Sequence, residues 1–211
     1  QHRPGSDNIL LNALMRFILD EGLADVAFVE SRCENFDEFS ENLKHYSVEA
    51  AAKYCNVEAE LIRSAARLYA TGKPSGIFYT LGITEHSCGT DNVKNIANLA
   101  MLCGQIGKWA SGVNPMRGQN NVQGACDMGA MPHKLPGYQN WSDATVRAKF
   151  EQAWGVAFPQ TTGKKIPMLI DAAASGELKA LFIMGQDIVS TEPNQTQVIA
   201  HLRQLDLLVC Q

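Results

Sequence analysis

The sequence predicts an α/β fold built from two units that share one arrangement. Two short apolar runs rich in aromatic and β-branched residues, SGIFYTLG and LKALFIMG, read as strands. Each is followed by a polar loop and then by a helical pattern, the unit in which α/β proteins place ligands at the carboxyl end of a strand. Between them lies GVNPMRGQNNVQGACDMG, which has no hydrophobic period. Together these give two α/β units joined by an amide-rich loop, with a boundary near Gly118 (1–118 and 119–211) and too few strands in either half for a complete sheet.

Taken in order, Ser6 and Asp7 are placed as N-caps for a helix over NILLNALMRFILDEG. Its Leu10, Ala13, Leu14, Phe17 and Ile18 share a face, and Gly22 stops it. Shorter helices are expected over Ala24 to Ser31 and Phe36 to Lys44. Ser47 opens SVEAAAKYC, and Asn56 opens VEAELIRSAARLYATG, closed by Gly72. A buried strand over about Gly76 to Leu81 leads into the polar loop GITEHSCGT, then a helix from Asp91 to about Cys103, capped by Thr90 and ended by Gly104. Helices near Thr145 to Trp154 and Pro167 to Ser175 come next. A second buried strand in LKALFIMG, the polar loop QDIVSTEPN, the helix QTQVIAHLRQ and a third strand in LDLLVC complete the chain.

With 211 residues, 45% of them hydrophobic, the chain can form one large or two small domains. A formal charge of −4 argues against a nucleic-acid partner, and no apolar run is long enough for a membrane span. The N-terminus lacks a methionine and a signal-peptide pattern, and LDLLVCQ stops inside an expected strand, so the chain is expected to be a piece of something larger. Its six cysteines never form a CxxC pair, which points away from a metal or cluster site and toward free thiols in a reducing compartment. A cytoplasmic location is expected, with an exported form still open.

The loop from Gly112 to Gly129 holds four glycines, three asparagines and two glutamines, with Arg117 as its only cation. It can be an elaborate turn, because Asn, Gly and Pro favour turns. It can be a phosphate cradle of glycine N–H groups, although it matches neither GxxxxGK[ST] nor GxGxxG. It can hold a polar heterocycle, since amides pair with both donors and acceptors. Arg117, alone among neutral donors, reads as a bidentate clamp for a small carboxylate, with a surface salt bridge as the competing account.

GVNPMRGQNNVQGACDMGAMP closely resembles the signature of the molybdenum- or tungsten-dependent formate dehydrogenases, in their catalytic alpha subunit. RPGSDNILLNALMRFILDEGLAD, GITEHSCGTDNVKNIANLAMLCGQIG and LFIMGQDIVSTEPN extend the resemblance, in order, over essentially the whole chain. It implies parts of two Rossmann-like αβα domains of the molybdopterin oxidoreductase fold, both incomplete. The family carries two molybdopterin guanine dinucleotides on one Mo or W ion. By resemblance Arg117 faces formate, and Gln119 contacts a pterin. Leu81 and Gly82 lie where a loop passes a pterin, and Glu85 stands where glutamine is often found, keeping the acceptor and losing the amide donor. Gly5, Ser6 and Asp7 match a guanine-contacting loop, though Asp7 also reads as a simple helix cap. Gly185 and Gln186 resemble another nucleotide-contacting turn. His86 is either a proton relay or a loop histidine satisfied by a nearby backbone group.

No residue here is assigned as a metal ligand; in the family the metal-binding cysteine or selenocysteine and an iron–sulfur cluster lie upstream. The resemblance implies oxidation of formate to carbon dioxide, with two electrons passed to an iron–sulfur cluster and an iron–sulfur electron-transfer subunit as partner. The isolated piece is expected to be inactive. Two alternatives stand beside it: a non-catalytic scaffold or electron-relay subunit of the same fold, and another oxidoreductase of the superfamily acting on a small oxyanion.

Overall fold

Helix α1 (Asp7–Asp20) organises the first half of the chain, and a computed structural model describes all 211 residues around it and beyond. Ala13, Met15, Phe17 and Ile18 are buried, so α1 is covered on more than the single face its periodicity indicates. Gly22, at φ +65°, ends it. Ser6 occupies the N-cap position but makes no cap bond; its hydroxyl donates to the Arg3 carbonyl at 2.5 Å. After α1 come α2 (Val26–Arg32), α3 (Phe36–Leu43), α4 (Val48–Cys55) and α5 (Ala59–Thr71), of which α3, α4 and α5 pack against it. Asp25 caps α2, its carboxylate accepting from the Phe28 amide at 3.2 Å, and Ser47 caps α4. Asn56 does not open α5. It adopts the left-handed conformation that Asn tolerates and closes α4, and α5 starts three residues later.

Strand β1 (Gly76–Tyr79) is shorter than expected, because Leu81 opens a one-turn helix, α6 (Leu81–Thr84), that runs into the segment read as a polar loop. Helix α7 (Gly89–Leu102) starts two residues early, with Cys88 rather than Thr90 at the cap. Gly89 permits this start: a Cβ there would lie 2.8 Å from the Thr84 carbonyl carbon. Gly104, at φ +61°, turns the chain after α7. Strand β2 (Gly112–Pro115) then pairs in parallel with β1, from Gly76 opposite Gly112 to Tyr79 opposite Pro115. The amide-rich stretch is therefore not all loop: it opens as a strand and later forms α8 (Val122–Asp127).

Residues Gln1–Gly118 and Gln119–Gln211 are two separate compact units. The second contains α8, a small antiparallel ladder of β3 (Lys134–Leu135) and β4 (Gln139–Asn140), α9 (Ala144–Trp154) and α10 (Ile166–Ala174). Next come β5 (Ala180–Ile183), the one-turn α11 (Ile188–Thr191), α12 (Gln195–Leu202) and β6 (Leu207–Cys210). Strands β5 and β6 pair in parallel, Ala180 opposite Leu207 through Ile183 opposite Cys210. The expectation of fully buried strands is corrected here. Phe78 is 70% exposed and Phe182 56%, because each parallel sheet has two strands and only one covered face.

The first unit's core joins Ala13, Met15, Ile18, Leu43, Ile62, Leu99 and Leu102. The second unit's is smaller, around Ile170, Val198 and Leu202. No helix is long and apolar enough to cross a membrane.

Candidate functional site

Parallel pairing decides where the first unit's polar segments go. Tyr79 stands opposite Pro115, and the Met116 amide donates to the Tyr79 carbonyl at 2.7 Å. Both strands end at one edge, so the segments beginning at Leu81 and at Met116 leave it side by side. This is the carboxyl edge at which open α/β sheets bind ligands. Arg117 lies there, exposed, with no ion pair. Arg16, Arg63 and Arg67 are each paired with carboxylates, whereas Arg32 at the end of α2 and Arg203 near the C-terminus are exposed and unpaired too, so what sets Arg117 apart is its place at this edge. An unpaired guanidinium presents five donors in a planar fork, suited to a carboxylate.

The loop after β1 is held by its own neighbours. Asn92 on α7 is fully buried and its Nδ2 donates to the Ile83 carbonyl at 3.0 Å. His86 Nε2 lies 2.8 Å from the Gly82 carbonyl, the backbone-satisfied arrangement. Leu81, Gly82 and Glu85 remain exposed, and the Glu85 carboxylate has no ion pair. Sequence reasoning missed Asn92, since a polar residue in the first turn of a helix looks like surface.

Gly5, Ser6 and Asp7 are brought toward this loop. Ser6 and Asp7 are buried, and the Asp7 oxygens lie 3.5 Å from His2 Nε2 and 3.7 Å from His86 Nε2. Neither contact is a good hydrogen bond, so the carboxylate keeps acceptor capacity for N–H groups such as those of a guanine edge. His2 had no sequence signal.

In the second unit, Gln119 is exposed and follows Arg117 by two residues in the chain. Gly185 and Gln186 leave the carboxyl end of β5, where the Gly185 amide donates to the Gln211 carbonyl at 2.8 Å. Gln186 Nε2 donates to Thr191 Oγ1 at 2.7 Å. Asp187 caps α11, and hydrogen bonds from Ser190, side chain and then backbone, hold its carboxyl below the usual carboxylate range.

The glycines test whether a large cofactor fits. A Cβ built at Gly5, Gly82, Gly118 or Gly185 meets nothing within 4 Å, and Gly5 and Gly185 have φ of +78° and +63°. Their backbones face open space that a ring or a phosphate can approach closely. In the first unit the backbone N–H groups and the underused Asp7 carboxylate, and in the second the amides of Gln119 and Gln186, each suit part of a pterin nucleotide. The structure gathers no group of three or more His, Cys, Asp or Glu side chains able to hold a metal, and all six cysteines are free. A cavity of about 960 Å³ in the second unit, lined by His133, Trp141, Lys164 and Glu177 among others, contains none of these residues.

The molybdopterin oxidoreductase family model matches residues 1–211. The chain belongs to this family. It is 44% identical over 208 residues to formate dehydrogenase H of Escherichia coli (strain K12), covering 98% of this chain and 29% of that protein. It is 42% identical over 208 residues to the F420-dependent formate dehydrogenase subunit alpha of Methanocaldococcus jannaschii, covering 99% of this chain and 30% of that one. The chain thus spans less than a third of these relatives. Acetylene hydratase from Pelobacter acetylenicus has the same fold, with a TM-score of 0.65 at 20% identity over 99% of this chain and 31% of its own.

Proposed function

We propose that this chain is an internal region of the catalytic subunit of a molybdenum- or tungsten-dependent formate dehydrogenase. The observation that carries the reading is Arg117: an exposed guanidinium without an ion pair, at the carboxyl edge of a parallel sheet and among neutral amides. It would donate paired N–H bonds to the two formate oxygens and fix the direction of the C–H bond, gaining rate through orientation. The molybdopterin-bound metal, when present, supplies the two-electron acceptor.

The chain's other residues serve as cofactor holders in this reading. Leu81 and Gly82 would present backbone to a pterin, with Glu85 adding a side-chain contact; Gln119, in the second unit, would separately contact a pterin. Gly5, Ser6 and Asp7 would take the guanine end of one dinucleotide, Asp7 accepting from its N–H donors. Gly185 and Gln186 would form the corresponding turn for a second dinucleotide in the second unit. The relatives named formate dehydrogenases support this assignment, and the open space over Gly5, Gly82 and Gly185, shared with Gly22, Gly107 and Gly155, is compatible with it. Electrons would leave through an iron–sulfur cluster outside this chain to an iron–sulfur partner subunit. The six free cysteines suit a reducing, cytoplasmic setting.

The test is formate-dependent reduction of a viologen dye by the full-length parent protein, with its metal content measured in the same preparation. Turnover that depends on formate supports the proposal. A metal-loaded protein that does not oxidise formate refutes it.

A further inference from the structure

The geometry points to His86 as a positioning residue that ties the loop after β1 to the start of α1, so that two cofactor-facing segments form one surface. This rests on the cofactor reading above. His86 Nε2 lies 2.8 Å from the Gly82 carbonyl and 3.7 Å from Asp7 Oδ2. With its proton on Nε2, the ring donates to the carbonyl while the carboxylate attracts the same N–H.

The far end of this tie is fixed independently. The Arg3 amide donates to the Cys55 carbonyl at 2.7 Å, and Cys55 Sγ donates to the Ser6 carbonyl at 3.7 Å, anchoring the segment to α4. Asp7 is itself buried, with 8% of its side chain exposed. The loop after β1 has Asn92 beneath Ile83, but the Gly82 carbonyl is held by His86. Gly82 carries no side chain and faces open space; the N–H of its peptide, on Ile83, donates to the Thr80 carbonyl at 3.0 Å, and His86 holds the carbonyl side of the same peptide. Asp7 and Gly82 belong to distant parts of the sequence, and His86 is the side chain that reaches both. Its role is to hold the cofactor loop in place, acting through Gly82 rather than on the substrate.

The experiment compares the full-length parent protein with its His86→Phe and His86→Gln variants, measuring metal and guanine nucleotide retained per polypeptide. Losing one hydrogen bond of ordinary strength weakens retention about two- to tenfold, so His86→Phe should lose cofactor by that factor during dialysis. His86→Gln can still donate an N–H to the Gly82 carbonyl and should retain the wild-type content. Full retention in His86→Phe overturns the inference, as does equal loss in both variants, which would mark a general packing role. Wild-type protein that contains no guanine nucleotide refutes the dinucleotide reading itself, and the inference with it.

Discussion

Gly104→Ala should destabilise the first unit through two effects. Gly104 has φ +61°, and an L-residue held in that region costs roughly 1–2 kcal/mol. The new Cβ would overlap Asp25 Oδ2 and lie 2.8 Å from its Cγ, forcing the carboxylate to move. Asp25 then loses its bond to the Phe28 amide, now 3.2 Å, and with it the cap of α2, worth about 1 kcal/mol. Its contacts with Lys73 at 3.4 Å and Lys108 at 3.6 Å involve partly exposed groups and add little. The sum is about 2–3 kcal/mol, a fall in Tm of roughly 4–12 °C for a folding unit of this general size. Circular dichroism melts of wild type, Gly104→Ala, Asp25→Gly and the double variant separate the two effects. Glycine serves tolerably as an N-cap and removes the obstructing carboxylate, so Gly104→Ala should cost less in the Asp25→Gly background. A Tm unchanged by Gly104→Ala, or fully additive losses, would refute the reasoning.

Three further outcomes are expected. Asp143→Ala should cost about 1 kcal/mol and speed amide exchange at Thr145 and Val146, whose N–H groups reach Asp143 Oδ1 at 2.8 and 3.2 Å; unchanged exchange at both would contradict the cap. The Phe28 amide bond first, and then Lys73 against the opposing effect of burial, hold the Asp25 carboxyl below its ordinary 3.8. Its folded value is depressed, so its stabilisation is present above the unfolded value and lost as pH falls through the folded one. Asp25→Asn should therefore lose stability at neutral pH and show a shallower acid-side decline in unfolding midpoints. Burial pushes the fully buried Cys103 thiol up to about 11, so iodoacetamide at pH 8 should leave it unmodified in the native protein; labelling at the rate of a free thiol, read by mass spectrometry, would contradict its burial.

The long helices were legible because their signals are local. Helix α1 carries a 3.6-residue period over many turns, and Ser47 is a side-chain cap immediately before its helix. Strand β2 was not legible: Gly-Val-Asn-Pro has little strand propensity, and its state is set by parallel pairing with the distant β1. Helices α6 and α11 are single turns, too short to display a period. In the site, Arg117 stood out as a lone cation among amides. The approach of His86 to Asp7 could not be read, because that contact depends on how α1 packs beside the loop after β1.

Arg117→Lys in the full-length parent protein tests the central claim most directly. Lysine keeps the charge but replaces the planar fork with a point donor, at a cost near that of one charge-assisted hydrogen bond, roughly 1.5–3 kcal/mol. The account predicts that kcat/KM for formate falls roughly ten- to hundredfold, with metal and nucleotide contents unchanged. Unaltered kcat/KM in a fully loaded variant would contradict it.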